Sequence, residues 1–269
     1  MKSVISTILL VLLFLSPISA KEYNDLSNRY KWIGVFVKDK KVNEQIMKSR
    51  DSFYDFKDEI KNLWNSGYIL DDIKYGNGKW IGIFSKNIDN KSQKYHETGR
   101  WADMNDVIEK EWKKGFYLTK IEYGLGRWIG FFSNDTNYTA QGYDRVEDLN
   151  DFRAMIIKRW NRGFNLVNVE YGEGKWLGIF TKGNLYKKEK IVIRSYWPSA
   201  VNSIANEWEK GQKIINLTYG LHKWFILFSS DINYKAQGYE ASNTIDGLRD
   251  IIKKRNKNGY KLVDIAQGW

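Results

Sequence analysis

The sequence predicts an α/β repeat protein of five β-β-α-β units, closed as a five-fold α/β propeller with strands inside and helices outside. Three observations predict it. First, YGNGKWIGIFSK at 75–86 returns as YGLGRWIGFFSN at 123–134, YGEGKWLGIFTK at 171–182 and YGLHKWFILFSS at 219–230. A first copy, SNRYKWIGVFVK, occupies 27–38. Second, four columns keep one constant step, that from Trp32 to Trp80, without insertion or deletion. They are Trp32, Trp80, Trp128, Trp176 and Trp224; Trp64, Trp112, Trp160 and Trp208, with Asn256 in fifth place; Gly67, Gly115, Gly163, Gly211 and Gly259; and Ile60, Ile108, Ile156, Ile204 and Ile252. A fixed step of this length marks a repeat architecture, in which each unit needs its neighbours to bury an apolar face. Third, the units at about 31–78, 79–126, 127–174, 175–222 and 223–269 take up nearly all of residues 21–269, predicted as a single domain. The final YKLVDIA can then lie beside the first WIGVFV. An open solenoid is the alternative; it requires polar terminal caps, and the sequence shows none.

Within a unit, WIGIFS is short, apolar and aromatic, as a strand covered on both faces should be. Alternation places Trp80, Gly82 and Phe84 on one face and Ile81 and Ile83 on the other. The mid-strand glycines Gly34, Gly82, Gly130 and Gly178 predict close approach of another backbone. A weaker second strand follows, SQKYHETG at 92–99. WADMNDVIEKEWKKG is a helix, because Trp101, Met104, Ile108 and Trp112 fall on one face. Gly115 and its equivalents then end each helix. The third strand, FYLTKIEY at 116–123, turns through YGLG into the next unit as a hairpin.

Residues 1–20, MKSVISTILLVLLFLSPISA, have a basic start, an apolar run and a small-residue end. That is the build of a secretory signal peptide, so an exported protein, secreted or periplasmic, is expected. An uncleaved anchor is the alternative. There is no cysteine, which removes disulfides, thiolate nucleophiles and Cys-ligated zinc. The formal net charge is +11, a surplus that favours anionic partners.

Few residues carry chemistry. The two histidines, His96 and His222, lie at different phases of the repeat; His96 is expected to face solvent. No nucleophile–base pair, metal-ligand spacing or phosphate loop is present, so neither metal nor cofactor is expected. Two columns are candidate binding groups. A basic residue precedes each motif tryptophan: Lys31, Lys79, Arg127, Lys175 and Lys223. In a closed ring they would gather positive charge, unless each pairs with a neighbouring acid at its strand end. The other column is Gln45, Gln93, Gln141 and Gln237, with Glu189 in the fourth unit; Tyr95, Tyr143 and Tyr239 follow two residues later. Amides beside aromatics suit a sugar or peptide, and equally suit loop-to-core hydrogen bonding.

Ile156, Trp160, Gly163 and Phe164, the strand Trp128 to Ser133, and Tyr138, Ala140, Gln141 and Tyr143 resemble repeats of the DUF7477 type. NYKAQGYE at 233–240 is a second match, and the resemblance extends over 31–266. Such repeats are known mainly C-terminal to plant casein-kinase-1-like kinases; the resemblance implies the fold and no specific activity. The expected function is therefore non-enzymatic binding of a protein or an anionic surface polymer. A carboxylate-based enzyme on a pentein-like propeller is the alternative, and nucleic-acid binding a third reading.

Overall fold

The computed structural model describes residues 30–38, 42, 44–86, 92–183, 186 and 188–269; the expected signal peptide lies outside the described residues. Five similar units follow one another. The first has β1 (Lys31–Lys38), β2 (Glu44–Arg50), α1 (Phe53–Asn65) and β3 (Tyr68–Gly76). The second has β4 (Lys79–Lys86), β5 (Gln93–Thr98), α2 (Trp101–Trp112) and β6 (Tyr117–Gly124). The third has β7 (Arg127–Ser133), β8 (Ala140–Val146), α3 (Leu149–Trp160) and β9 (Asn165–Gly172). The fourth has β10 (Lys175–Lys182), β11 (Glu189–Arg194), α4 (Trp197–Glu209) and β12 (Lys213–Gly220). The fifth has β13 (Lys223–Ser229), β14 (Ala236–Ser242), α5 (Ile245–Lys257) and β15 (Tyr260–Gly268).

The strands form five open, antiparallel, three-stranded sheets: β2-β4-β3, β5-β7-β6, β8-β10-β9, β11-β13-β12 and β14-β1-β15. None curls into a barrel. Each sheet joins the second and third strands of one unit to the first strand of the next. The fifth sheet does the same with β1, which pairs with β14 and β15 from the far end of the chain. Third strands also touch in succession: β3 with β6, β6 with β9, β9 with β12, β12 with β15, and β15 with β3.

Each central strand is buried on both faces. Trp80 and Phe84 pack with Phe53, Phe56 and Ile60 of α1. Ile81 and Ile83 pack with Trp32, Phe36, Leu248 and Ile252 of the adjoining sheet and helix. The mid-strand glycines correct the expectation of a backbone contact. A Cβ on Gly82 would stand 2.6 Å from the rings of Phe56 and Phe84, so glycine makes room for aromatic edges. The tryptophans of the second column, on the apolar face of each helix, are half-buried rather than fully enclosed.

Helix limits follow local chemistry. Ser52, Asp148 and Thr244 cap α1, α3 and α5 by accepting from backbone N–H groups of the first turn. Past each helix a glycine with positive φ, such as Gly115 at 77°, reverses the chain. The hairpin tips Asn77-Gly78, Leu125-Gly126, Glu173-Gly174 and Leu221-His222 all have positive φ at both residues. That is the geometry which matches strand twist in a two-residue turn.

Candidate interaction face and buried polar rows

Each third strand carries a bulge, for example between Leu70 and Asp72 against β4. The extra residue breaks strict alternation and turns two polar columns toward the neighbouring third strands. The first column is Asp72, Lys120, Asn168, Asn216 and Asp264; the second is Lys74, Glu122, Glu170, Thr218 and Ala266. Neither column was anticipated, and a polar position recurring once per unit in otherwise apolar strands was the available signal.

These groups serve the exposed edges of the third strands. Asp72 Oδ2 accepts from Ile265 N at 3.0 Å, Asp264 accepts from Leu217 N, and Asn216 Oδ1 accepts from Val169 N at 3.2 Å. Glu122 Oε1 likewise accepts from Tyr75 N at 2.8 Å. Without such acceptors these edge N–H groups would be buried unpaired. Lys74 Nζ bridges Glu122 at 2.8 Å and Glu170 at 2.9 Å, and Lys120 Nζ pairs with Asp72 at 3.0 Å. Burial alone would lower the pKa of Lys74, but the charges of Glu122, Glu170 and Asp72 hold it well above its ordinary value. Burial, with Glu170 alongside, raises Glu122 well above the carboxylate range. Burial and the charge of Asp72 push Asp264 up to about 8. Glu122 and Asp264 therefore hold their protons more firmly than free carboxyls do, because burial disfavours the charged form.

The glutamine column forms clips. Gln141 Oε1 accepts from Leu118 N and from Trp112 Nε1, both at 2.8 Å, while its Nε2 donates to Leu118 O at 2.8 Å. Gln93 and Gln237 repeat this on Leu70 with Trp64 and on Ile214 with Trp208. Gln45 clips Leu262, and Asn256, in the tryptophan's place, donates to Gln45 O. The tyrosines pack on the same indoles: Tyr95 on Trp64, Tyr143 on Trp112 and Tyr239 on Trp208. Glutamine and tyrosine thus meet within each unit and do not converge on one site.

Glu189 occupies the clip of the fourth unit. It accepts from Leu166 N at 3.1 Å and from Asn165 Nδ2 at 3.0 Å, but a carboxylate has no hydrogen for Leu166 O. Burial pushes its carboxyl up to about 7, with the charge of Asp231 adding to the rise. It borders a pocket of about 620 Å³, with Trp160, Phe164, Asn165, Lys182 and Tyr186 in the wall. His96 is half-buried rather than fully solvent-facing, with Nε2 3.4 Å from Glu111; His222 stands at a hairpin tip beside the ring of Trp269.

The five basic residues before the motif tryptophans lie at the hairpin-tip end of their strands, each held separately. Lys79 pairs with Asp51, Arg127 with Glu97, and Lys175 with Glu147 at 3.1 Å. Lys223 and Lys31 instead meet neutral oxygens, Ser195 Oγ at 2.7 Å and Asn243 Oδ1 at 3.4 Å. Beside Lys223, exposed Arg194 donates to the carbonyl of Ile193. Lys31, Arg194 and Lys223 have no carboxylate partner among the described residues. The same end holds the Tyr30 and Trp269 rings, 5.0 Å apart, and exposed Tyr196.

Among the described residues no cluster of metal-ligating side chains occurs, and no helix is long and apolar enough to cross a membrane. No curated protein matches the chain. A family model described as a domain of unknown function (DUF7477) matches residues 24–171, more than half of the sequence. The matched segment covers the first three units, and the same repeat grammar continues through the other two. On that match, the chain belongs to the DUF7477 family.

Proposed function

We propose that the five sheets form one closed ring, and that the chain is an exported, non-enzymatic binding protein whose hairpin-tip end engages an anionic partner. Closure is supported by the pairing of β1 with β14 and β15 and by the contact of β15 with β3. It is also supported at the strand ends. Gly124, Gly172, Gly220 and Gly268 each receive the tyrosine of the preceding third strand, and Gly76 receives Gln267 in the same manner. Gln267 Nε2 donates to Asn77 Oδ1 across that junction. A Lys38→Cys/Ala236→Cys double variant, at facing positions of β1 and β14, should oxidise to an intramolecular disulfide in a chain with no other cysteine. A chain that stays reduced counts against the closed ring.

The observation that carries the binding reading is the uneven neutralisation of the basic column. Three members have carboxylates, whereas Lys31 and Lys223, with nearby Arg194, have none among the described residues. Unneutralised cations attract polyanions, with an affinity that falls as salt rises. The test is retention on immobilised heparin. Changing Lys31, Arg194 and Lys223 together to glutamine should reduce retention, and changing Lys79, Arg127 and Lys175 should reduce it less. Equal effects, or no retention of the parent, would refute the assignment. N-terminal sequencing of the protein from fractionated cells should begin at Lys21; an intact Met1 in the cytosol counts against export.

A second reading rests on Glu189. A carboxyl raised to about 7, near Asp231 and facing an aromatic-walled pocket, has the protonation state of a general acid at neutral pH. A carboxylate-based hydrolase would lose turnover in Glu189→Gln without losing its fold, since glutamine fills this place in the other four units. A panel of glycoside and ester substrates that the parent does not cleave removes this reading.

A further inference from the structure

Leu125 and Leu221 stand at hairpin tips with φ of 50° and 46°, and they are 59% and 53% exposed. A bulky side chain rarely adopts left-handed backbone, and Asn77 shows the residue type that suits this place. Neither backbone preference nor burial accounts for leucine here, so the strain calls for another cause. The tips share one end of the molecule with the helix starts, as the bond from Trp101 N to Glu173 Oε1 shows. That end also holds Tyr54 and Tyr196, 76% and 73% exposed, and Tyr30 at 40%. Of the six exposed large apolar residues among those described, five lie at this end; Ile157 is the other.

The cations are placed to match. Lys31 and Arg194, without carboxylate partners among the described residues, lie one residue after Tyr30 and two before Tyr196, and Lys223 precedes Trp224, whose indole N–H donates to Trp269 O. Helix α4, which starts in this sector, has no acidic residue in its first turn, whereas α1, α2, α3 and α5 each have an aspartate there. A soluble polyanion would use the cations and could stack on the rings, but it would gain nothing from aliphatic tips. A lipid surface uses all three: leucine enters the acyl boundary, tyrosine and tryptophan settle among headgroups, and lysine and arginine meet anionic lipid.

Resting on the anionic-partner reading above, we infer that the hairpin-tip end is a peripheral docking face for an anionic lipid membrane. The test is co-sedimentation of the full chain with vesicles of phosphatidylcholine alone and of phosphatidylcholine mixed with phosphatidylglycerol. Binding is expected to the mixed vesicles and to weaken with salt. The Leu125→Asn/Leu221→Asn variant should bind on the order of 10-fold more weakly. The Lys31→Gln/Arg194→Gln/Lys223→Gln variant should bind on the order of 100-fold more weakly. Asparagine suits left-handed backbone, so the leucine variant should melt no lower than the parent, which separates lost docking from lost folding. If heparin is retained but the leucine variant binds vesicles as well as the parent, the lipid inference is overturned and the anionic-partner reading survives. If the parent binds neither heparin nor mixed vesicles, both fall. Equal binding to neutral and mixed vesicles also overturns the inference.

Discussion

Replacing Glu189 by glutamine should stabilise the protein by an amount that grows with pH. In the folded chain the Glu189 carboxyl titrates at about 7, against an ordinary value of 4.5. Below the ordinary value both states are protonated and the group is neutral in the balance. As pH rises, the unfolded chain ionises first, and the folded chain must hold its proton or bear a half-buried charge. The group's penalty thus grows progressively up to the folded pKa and is constant above it. At 1.36 kcal/mol per pKa unit the full penalty is about 3 kcal/mol, trimmed to about 2 kcal/mol by solvent at this half-buried site. Glutamine carries no such penalty, and its amide can donate to Leu166 O as Gln141 does to Leu118 O. Urea melts of parent and variant at pH 5 and pH 8 give the assay. The gain should be under about 1 kcal/mol at the lower pH and about 2 kcal/mol at the higher. A difference independent of pH would refute the titration argument, and a less stable variant would show that the carboxylate is the preferred clip.

Three further outcomes are expected. Lys74→Met leaves Glu122 and Glu170 without their shared cation and should cost about 3–5 kcal/mol. A loss below about 1 kcal/mol in urea melts would place these charges in water. Gly124→Ala puts a methyl 2.5 Å from Cβ of Tyr75 and should cost about 1–3 kcal/mol, with the midpoint shifted in thermal melts; an unchanged midpoint would contradict the close approach of third strands. Gln141→Ala strips partners from Leu118 N, Leu118 O and Trp112 Nε1, so it should cost about 2–3 kcal/mol and speed hydrogen exchange at Leu118.

The repeat was legible because tryptophan, glycine and isoleucine recur at one spacing with identical side chains. The hairpins were legible because paired turn residues stand between two strand-like runs. The buried polar rows were not, because Asp72, Lys120, Asn168, Asn216 and Asp264 do not repeat one side chain, and the bulge that aims them is a property of strand pairing rather than of residue order. The half-buried state of Trp112 was equally hidden. Its helical spacing fits a core position, whereas in the fold its indole N–H is taken up by the clip with Gln141. For the basic column, spacing located all five residues at one strand end. Which of them kept free charge depended on residues 28 to 30 positions upstream, or, for Lys31, on Asn243 at the far end of the chain.

The sheet that contains β1 has a consequence for the order of events during synthesis. Residues 31–38 are made well before both of their strand partners, 236–242 and 260–268. Until then the most apolar strand of the first unit has two bare edges, and the ladder that covers them joins Trp32 to Ser242 and Gln267, across nearly the whole of the folded chain. Contacts so distant in sequence form slowly, and open edges invite pairing with other chains. A nascent chain of this design cannot finish folding from its leading end. The four sheets built from strands near in sequence can form before the one that joins β1 to β14 and β15.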